Sequence, residues 1–221
     1  MQRVLEPEVM DSWEEAVEYD AMDFTEINAA FAQRAIELGT TNATVLDAGT
    51  GTARIPILIG RKCPQWQIIG IDMAESMLQI GRENVEEGGL EKQITLEFVD
   101  AKNLPYQDGQ FDMVISNSLF HHLPNPLPFL QELKRVLKPQ GAIFIRDLIR
   151  PPSEEIMNSL VESIGKEYDK HQKRLFRDSL HAAFTLDEVQ DLVQQAGLEG
   201  VTVERSSDRH WSAERAWVDP A

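Results

Sequence analysis

The stretch VLDAGTGTARIPI, residues 45–57, decides how this chain folds. An apolar β-type pair, Val45-Leu46, runs into Asp47, the glycines Gly49 and Gly51 follow, and apolar residues then return at helical spacing. The pattern is a strand, a turn and a helix. In an open α/β sheet, ligands sit beyond the carboxyl ends of the strands. Glycines there let the backbone bend sharply and let a ligand approach with no Cβ in the way. The N–H groups that open the next helix face the same crevice.

The alternation continues outward from this unit. The pattern predicts strands over 43–48, 66–72, 94–100, 111–117 and 141–148, with helices over 53–62, 74–87 and 125–139. Strands alternating with helices imply an α/β fold, a doubly wound, mostly parallel sheet covered on both faces. Upstream, residues 1–11 read as loose and 12–38 as helix broken once, near Met22 to Thr25. Downstream, 153–183 reads as one long charged helical stretch with no strand pattern. A helix over 185–197 follows, opened by the capping box of Thr185 and Glu188 and closed by Gly197. Two strand-like runs, 199–206 and 210–218, are three residues apart around Ser207-Asp208, a hairpin distance that makes the last strand antiparallel. Trp211 and Trp217 share a face of that last run and read as core or dimer contact.

Composition narrows the function. The chain has 221 residues, 42% of them hydrophobic, enough for one sizeable core and too few for two full domains. The 21 basic and 37 acidic residues leave a net charge of -16, which argues against a nucleic acid partner and against an anionic lipid surface. Cys63 stands alone, so no intrachain disulfide forms; it reads as a small core or helix-end residue. The opening carries the acids Glu6, Glu8, Asp11, Glu14, Glu15, Glu18 and Asp20, unlike a signal peptide, and no apolar run nears the roughly 20 residues that span a bilayer. A soluble, cytoplasmic protein is expected.

The turn's neighbours say which ligand it holds. Asp72 ends the second strand, 21 residues beyond Gly51, where a carboxylate accepts both hydrogen bonds of a ribose diol. An adenosine-type ligand follows. A dinucleotide fingerprint needs Gly or Ala where this chain has Arg54. Asp47, two residues before the first glycine, is a poor neighbour for a pyrophosphate and suits a ligand with positive charge, such as an α-amino group.

The segments LDAGTGTA, GIDMAESML, FVDAKNLPYQDGQFDMVISNSLFHHL and ELKRVLKPQGAIFIRDL resemble, in order, the motifs of the class I S-adenosylmethionine-dependent methyltransferases. The resemblance runs from about 43 to 148 and resumes over 185–218; Ala53 stands where the family has a third glycine. It implies a seven-stranded sheet with an antiparallel last strand, and S-adenosylmethionine as cofactor, leaving as S-adenosylhomocysteine. By the same resemblance, Asp47, Gly49, Thr50 and Gly51 line the methionine part. Asp72 takes the ribose, with Met73 beside it and Met77 near the adenine. Asp100 and Ala101 meet the adenine edge. Asn117 and Ser118 border cofactor and substrate, and Tyr19 closes over the cofactor.

Methyl transfer from a sulfonium needs alignment and exclusion of water more than a fixed catalytic set. Where the acceptor must lose a proton, the candidate bases are His121 and His122, after the fourth strand, with His122 preferred. Arg146 and Asp147 reach the same edge on opposite faces by alternation. His181 reads as an exposed helix residue. The His121-His122 pair lacks a third ligand at a usual spacing, so no metal site is expected. The mixed apolar and charged positions of 151–184 fit an amphipathic lid. With the N-terminal helix (12–38) as the other wall, they imply a covered pocket for a small molecule within one domain. The expected activity is methylation of an O, N or C atom of a small-molecule acceptor. A non-catalytic cofactor-binding sensor or subunit and a nicotinamide-dependent oxidoreductase on the same sheet stay open.

Overall fold

The computed structural model describes residues 1–6, 11–22 and 24–219. Part of the loose start expected over 1–11, Glu8 of the acidic opening, and Asp23 at the expected helix break lie outside the described residues. The chain runs α1 (Trp13–Ala21), α2 (Thr25–Leu38), β1 (Thr44–Ala48), α3 (Arg54–Lys62), β2 (Gln67–Asp72), α4 (Glu75–Glu87), β3 (Ile94–Phe98), β4 (Phe111–Asn117), a 3-10 turn at Phe120–His122, α5 (Leu127–Val136) and β5 (Leu137–Leu148). It continues through α6 (Glu154–Ile164), a second 3-10 turn (Gly165–Glu167), α7 (Lys170–Ala182), α8 (Leu186–Gln195), β6 (Thr202–Arg205) and β7 (His210–Arg215).

The seven strands form one sheet in the order β3-β2-β1-β4-β5-β7-β6. β1 to β5 pair in parallel, β7 pairs antiparallel with β5, and β6 pairs antiparallel with β7. Strand alternation sorts the core into two faces. Leu46, Val114, Ile143 and Ile145 pack with Phe129, Leu133, Val189 and Val193 of α5 and α8. Val45, Met113, Ile115 and Phe144 pack with Phe31, Ala35 and Ile59 of α2 and α3. The strand order reverses between β1 and β4, so a crevice opens at their carboxyl ends.

Five expectations change. The long helix over 153–183 is two helices, because Gly165 breaks it and Asp169 with Gln172 starts α7 as a capping box. The helix expected to 139 stops at Val136, and β5 begins at Leu137, which pairs with Phe111 ahead of a register shift. The third strand ends at Phe98, and the strands of the hairpin are shorter than their apolar runs. Trp211 and Trp217 do not share a face. Trp211 lies in the α5/α8 core, whereas Trp217 follows the end of β7 and packs on the α2/α3 side. Cys63 is half-buried at the end of α3, as expected.

Candidate active site

The turn between β1 and α3 is held in left-handed backbone at three positions: Gly49 (φ 75°), Gly51 (φ 53°) and Ala53 (φ 62°). Such φ values suit glycine, and Ala53 pays roughly 1 kcal/mol for its side chain there. The N–H groups of Gly49 and Thr50 both donate to the Ile71 carbonyl, at 2.9 Å, which ties the turn to β2. Asp72 then accepts from Gly51 N at 2.9 Å and from Ala74 N at 3.0 Å. One carboxylate therefore fixes the distance between the glycine turn and the start of α4.

This turn floors a cavity of about 330 Å³. Gly49, Gly51, Asp72, Met73, Met77, Asp100, Ala101, Asn117, Ser118, Tyr19, His121 and His122, all named from sequence, line it together. Asp47 and Thr50 do not line it: both are buried beneath the turn. His181 does not line it either. Several of these residues have local tasks as well. Met77 packs with Ala16, Ala74 and Ile80. Asp100 accepts from Lys102 N at 2.9 Å and pairs with Lys102 Nζ at 3.2 Å. Asn117 Oδ1 accepts from Arg146 Nε at 3.1 Å. Ser118 is left-handed, φ 60°, the kind of outlier that collects at functional sites.

Acidity at this end of the cavity is marked. Burial pushes the Asp47 carboxyl up to about 7, with Thr50 opposing and Asp72 adding to the rise. Burial likewise raises Asp72, against the pull of its backbone donors. Tyr19 presents its open surface to the cavity; removal from bulk water, then Asp72, Asp47 and Asp20, push its hydroxyl up to about 12, so it stays a neutral donor. Glu15 and Glu18 line the same end. A Cβ on Gly51 would face Tyr19 Cε1 at 3.8 Å, so the glycine keeps a slot open under the ring. A slot between an aromatic and a backbone turn, ringed by carboxylates, fits a flat adenosyl group bearing sulfonium and ammonium charge.

The histidine turn is built differently. Phe120 is buried edge-on against Phe184 and Trp211, centroids 5.1 Å away, and against Phe129 at 6.3 Å. Losing such a ring costs about 3–5 kcal/mol, so the next two residues stand on a firm base. His121 Nδ1 meets Asp147 Oδ1 at 2.5 Å, and His121 N donates to Asp147 Oδ2 at 3.2 Å. Glu6 Oε1 lies 3.3 Å from His121 Nε2 and 3.1 Å from His122 Nδ1. Burial lowers the His121 imidazole, but Asp147 and Glu6 outweigh it and hold it above its ordinary value. Glu6 thus supplies the third group that sequence spacing lacked, and the three ligand-type atoms lie within 4.8 Å of one another.

Several lining residues carried no local signal in the sequence. Glu6, Phe24, Tyr168, Arg209 and His210 arrive from distant segments. Arg54, outside the lining, grips Asp20 through Nε at 2.9 Å and Nη2 at 2.6 Å, fixing α1 and the adjacent Tyr19 over the turn.

With this geometry in view, the relatives are informative. Residues 40–197 match the family described as methyltransferase domain. The chain is 28% identical over 167 residues to a demethylmenaquinone methyltransferase of Thermotoga maritima, covering 70% of this chain and 69% of that one. It is 27% identical over 160 residues to the 27-O-demethylrifamycin SV methyltransferase of Amycolatopsis mediterranei, covering 72% of this chain and 55% of that one. Its fold is shared with the crystal structure of a SAM-dependent methyltransferase from Aquifex aeolicus, at TM-score 0.68 and 21% identity over 95% of this chain and all of that one. The nicotinamide-dependent alternative drops out. The match over 40–197, well beyond half of the chain, makes this protein a member of the methyltransferase domain family, on the fold that it shares with the SAM-dependent methyltransferase from Aquifex aeolicus.

Proposed function

We propose that the chain methylates an O, N or C atom of a small molecule that lies beside the cofactor in one shared cavity. The carrying observation is that cavity, floored by the tips of β1, β2 and β4 and walled by residues of α1, α2, α6 and α7. Helices α6 and α7 serve as the lid, presenting Ile164, Leu175 and Phe176 to the inside. The relatives named above for demethylmenaquinone and demethylrifamycin support a small-molecule acceptor.

When bound, S-adenosylmethionine supplies a methyl group already activated by its sulfonium leaving group. Asp72 keeps lone pairs free for the ribose beyond its two backbone donors. Asp100 and Ala101 meet the adenine edge, with Met73 and Met77 against the ring. Gly49 and Gly51, with Asp47 and Thr50 beneath, hold the methionine end. Asn117 and Ser118 separate the two ligands, and Tyr19 covers the first. For an acceptor that must lose a proton, His121 is the better placed base. Its Nδ1 donates to Asp147 and its Nε2 faces Glu6 Oε1 at 3.3 Å, so the proton passes to a His121–Glu6 pair that Asp147 orients; His122, preferred from sequence, shares the same Glu6. Lid and aromatic wall keep water from competing.

Isothermal titration tests this. Wild type should bind S-adenosylmethionine, and Asp72→Ala should lose roughly 30-fold or more in affinity, as removal of a charged hydrogen-bonding partner implies. A wild-type chain that binds none of it ends the reading.

A further inference from the structure

The cavity is electrically divided. Glu15, Glu18, Asp72 and Asp100 line the end formed by α1, β2 and the turn after β3. On the far side of β1 and β4, the β5–β7 edge brings Arg146, Arg209 and His210 into the lining. Pairing of Leu148 with His210, and the bond from Ile149 N to the Arg209 carbonyl at 2.8 Å, hold the three together. In a chain of net charge -16, two guanidinium groups beside a neutral imidazole are unlike the acidic end of the cavity.

Arg146, like Arg3 and Arg215, bonds only neutral oxygens, but of these three it is the one that lines the cavity. Arg34, Arg54, Arg82, Arg135 and Arg150 each sit on a carboxylate. Among the described residues no carboxylate reaches Arg146. Its partners are neutral oxygens, Asn117 Oδ1 at 3.1 Å and the Ile27 carbonyl at 3.4 Å, and it lies 5.0 Å over the Phe31 ring. The neighbouring Asp147 is taken by His121 Nδ1 at 2.5 Å and by Leu148 N at 2.6 Å. Arg209 holds the outward Asp208 at 3.3 Å. A partly buried guanidinium with donors left over needs an anion.

We propose that the methyl acceptor carries a carboxylate or phosphate group, bound between Arg146, Arg209 and His210, with an apolar body under Leu175 and Phe176. The groups' own properties agree. Burial, then Arg209, lowers the Arg146 guanidinium to about 10. Burial, then Arg146 and Arg209, lowers His210 to about 4. Burial and the neighbouring guanidinium charges weigh on Arg146 and His210, and an anion between them would offset the repulsion. The acidic end then favours the cationic cofactor and the basic end the acceptor, which keeps each ligand out of the other's place. This inference rests on the methyltransferase reading of the cavity.

The test is titration with three probes of similar shape: 3-phenylpropionate, phenyl phosphate and the neutral 3-phenylpropionamide. Each is measured on the free protein and on protein saturated with S-adenosylhomocysteine. At least one anion should bind about tenfold or more tighter than the amide, as charge-assisted hydrogen bonds imply. The tighter of the two anions identifies the acceptor's group. Arg146→Gln and Arg209→Gln should each bring that preference to within about threefold. Should Arg146→Gln fail to fold, Arg209→Gln, on the hairpin turn, decides alone. Equal binding of amide and anions, no anion binding at millimolar probe, or a preference that survives in the folded variants overturns the proposal. Failure of S-adenosylhomocysteine itself to bind counts against the methyltransferase reading instead, since the anion preference is still read on the free protein.

Discussion

At the scale of single residues, two ionisable groups set the chemistry. Asp47 is buried beneath the glycine turn, and burial pushes its carboxyl up to about 7. A raised carboxyl favours folding in its neutral form. Its contribution is complete below the ordinary carboxylate range and fades as pH rises through about 7. A cationic ligand above it reverses the preference and draws the proton off. S-adenosylmethionine should therefore bind roughly fivefold to tenfold tighter at pH 8 than at pH 6, with proton release at neutral pH. Asp47→Asn should abolish both effects in calorimetry across buffers of different ionisation enthalpy. His121 makes the opposite case for a base: burial lowers it, Asp147 and Glu6 raise it more, and the net shift is upward. Its folding contribution is present below the ordinary imidazole value and lost as pH rises through the raised one. NMR titration should show the His121 ring titrating above the ordinary imidazole range, and Asp147→Asn should move it down. An unmoved ring would remove Asp147 as the group that tunes it.

At the scale of elements, the glycine turn depends on the strand beside it. Gly70 pairs with Asp47 in the β1–β2 register. A Cβ there would lie 2.7 Å from Thr50 Oγ1 and 2.8 Å from Leu96 Cδ2. Gly70→Ala must push the turn or the strand, at about 1–3 kcal/mol. The urea midpoint should fall, and S-adenosylmethionine should bind more weakly because Thr50 moves with Gly49 and Gly51. Lower stability with unchanged affinity would mean that the turn does not transmit the strain. The histidine turn has a comparable dependence on its aromatic bed, where Phe120 alone touches three other rings.

At the scale of the whole molecule, Arg3 links the ends of several elements. Its guanidinium donates to the carbonyls of Ala182 (2.6 Å), His121 (3.0 Å), Leu123 (2.8 Å) and Pro124 (3.1 Å), and lies 3.8 Å over the Phe184 ring. It joins the N-terminal segment to the histidine turn and to the end of α7, and it carries Glu6 to the cavity. Arg3→Ala leaves these carbonyls short of donors, at about 1.5–3 kcal/mol. The melting temperature should fall by roughly 4–8 °C. Hydrogen exchange should quicken at 120–124 and 180–184; unchanged exchange there would show that the link does no structural work.

The sequence alone determined what is written in local pattern. The alternation of strand and helix, the antiparallel hairpin, the Thr185–Glu188 capping box, and the run of Asp47, Gly49, Gly51, Asp72 and Asp100 at strand ends were all legible. Each rests on side-chain period or backbone conformation within a few residues. Element ends were less so: β5 starts at Leu137 because Phe111, 26 residues earlier, pairs with it there. Only the tertiary structure decided which groups share a charge. Glu6 meets His121 and His122 across more than a hundred residues, Asp20 meets Arg54, and Arg146 joins Arg209 and His210 at one edge. Electrostatic and packing partners are set by distance in space, which chain separation does not encode. So the strand-tip end of the cavity could be read along the chain, and the β5–β7 edge of it required the fold.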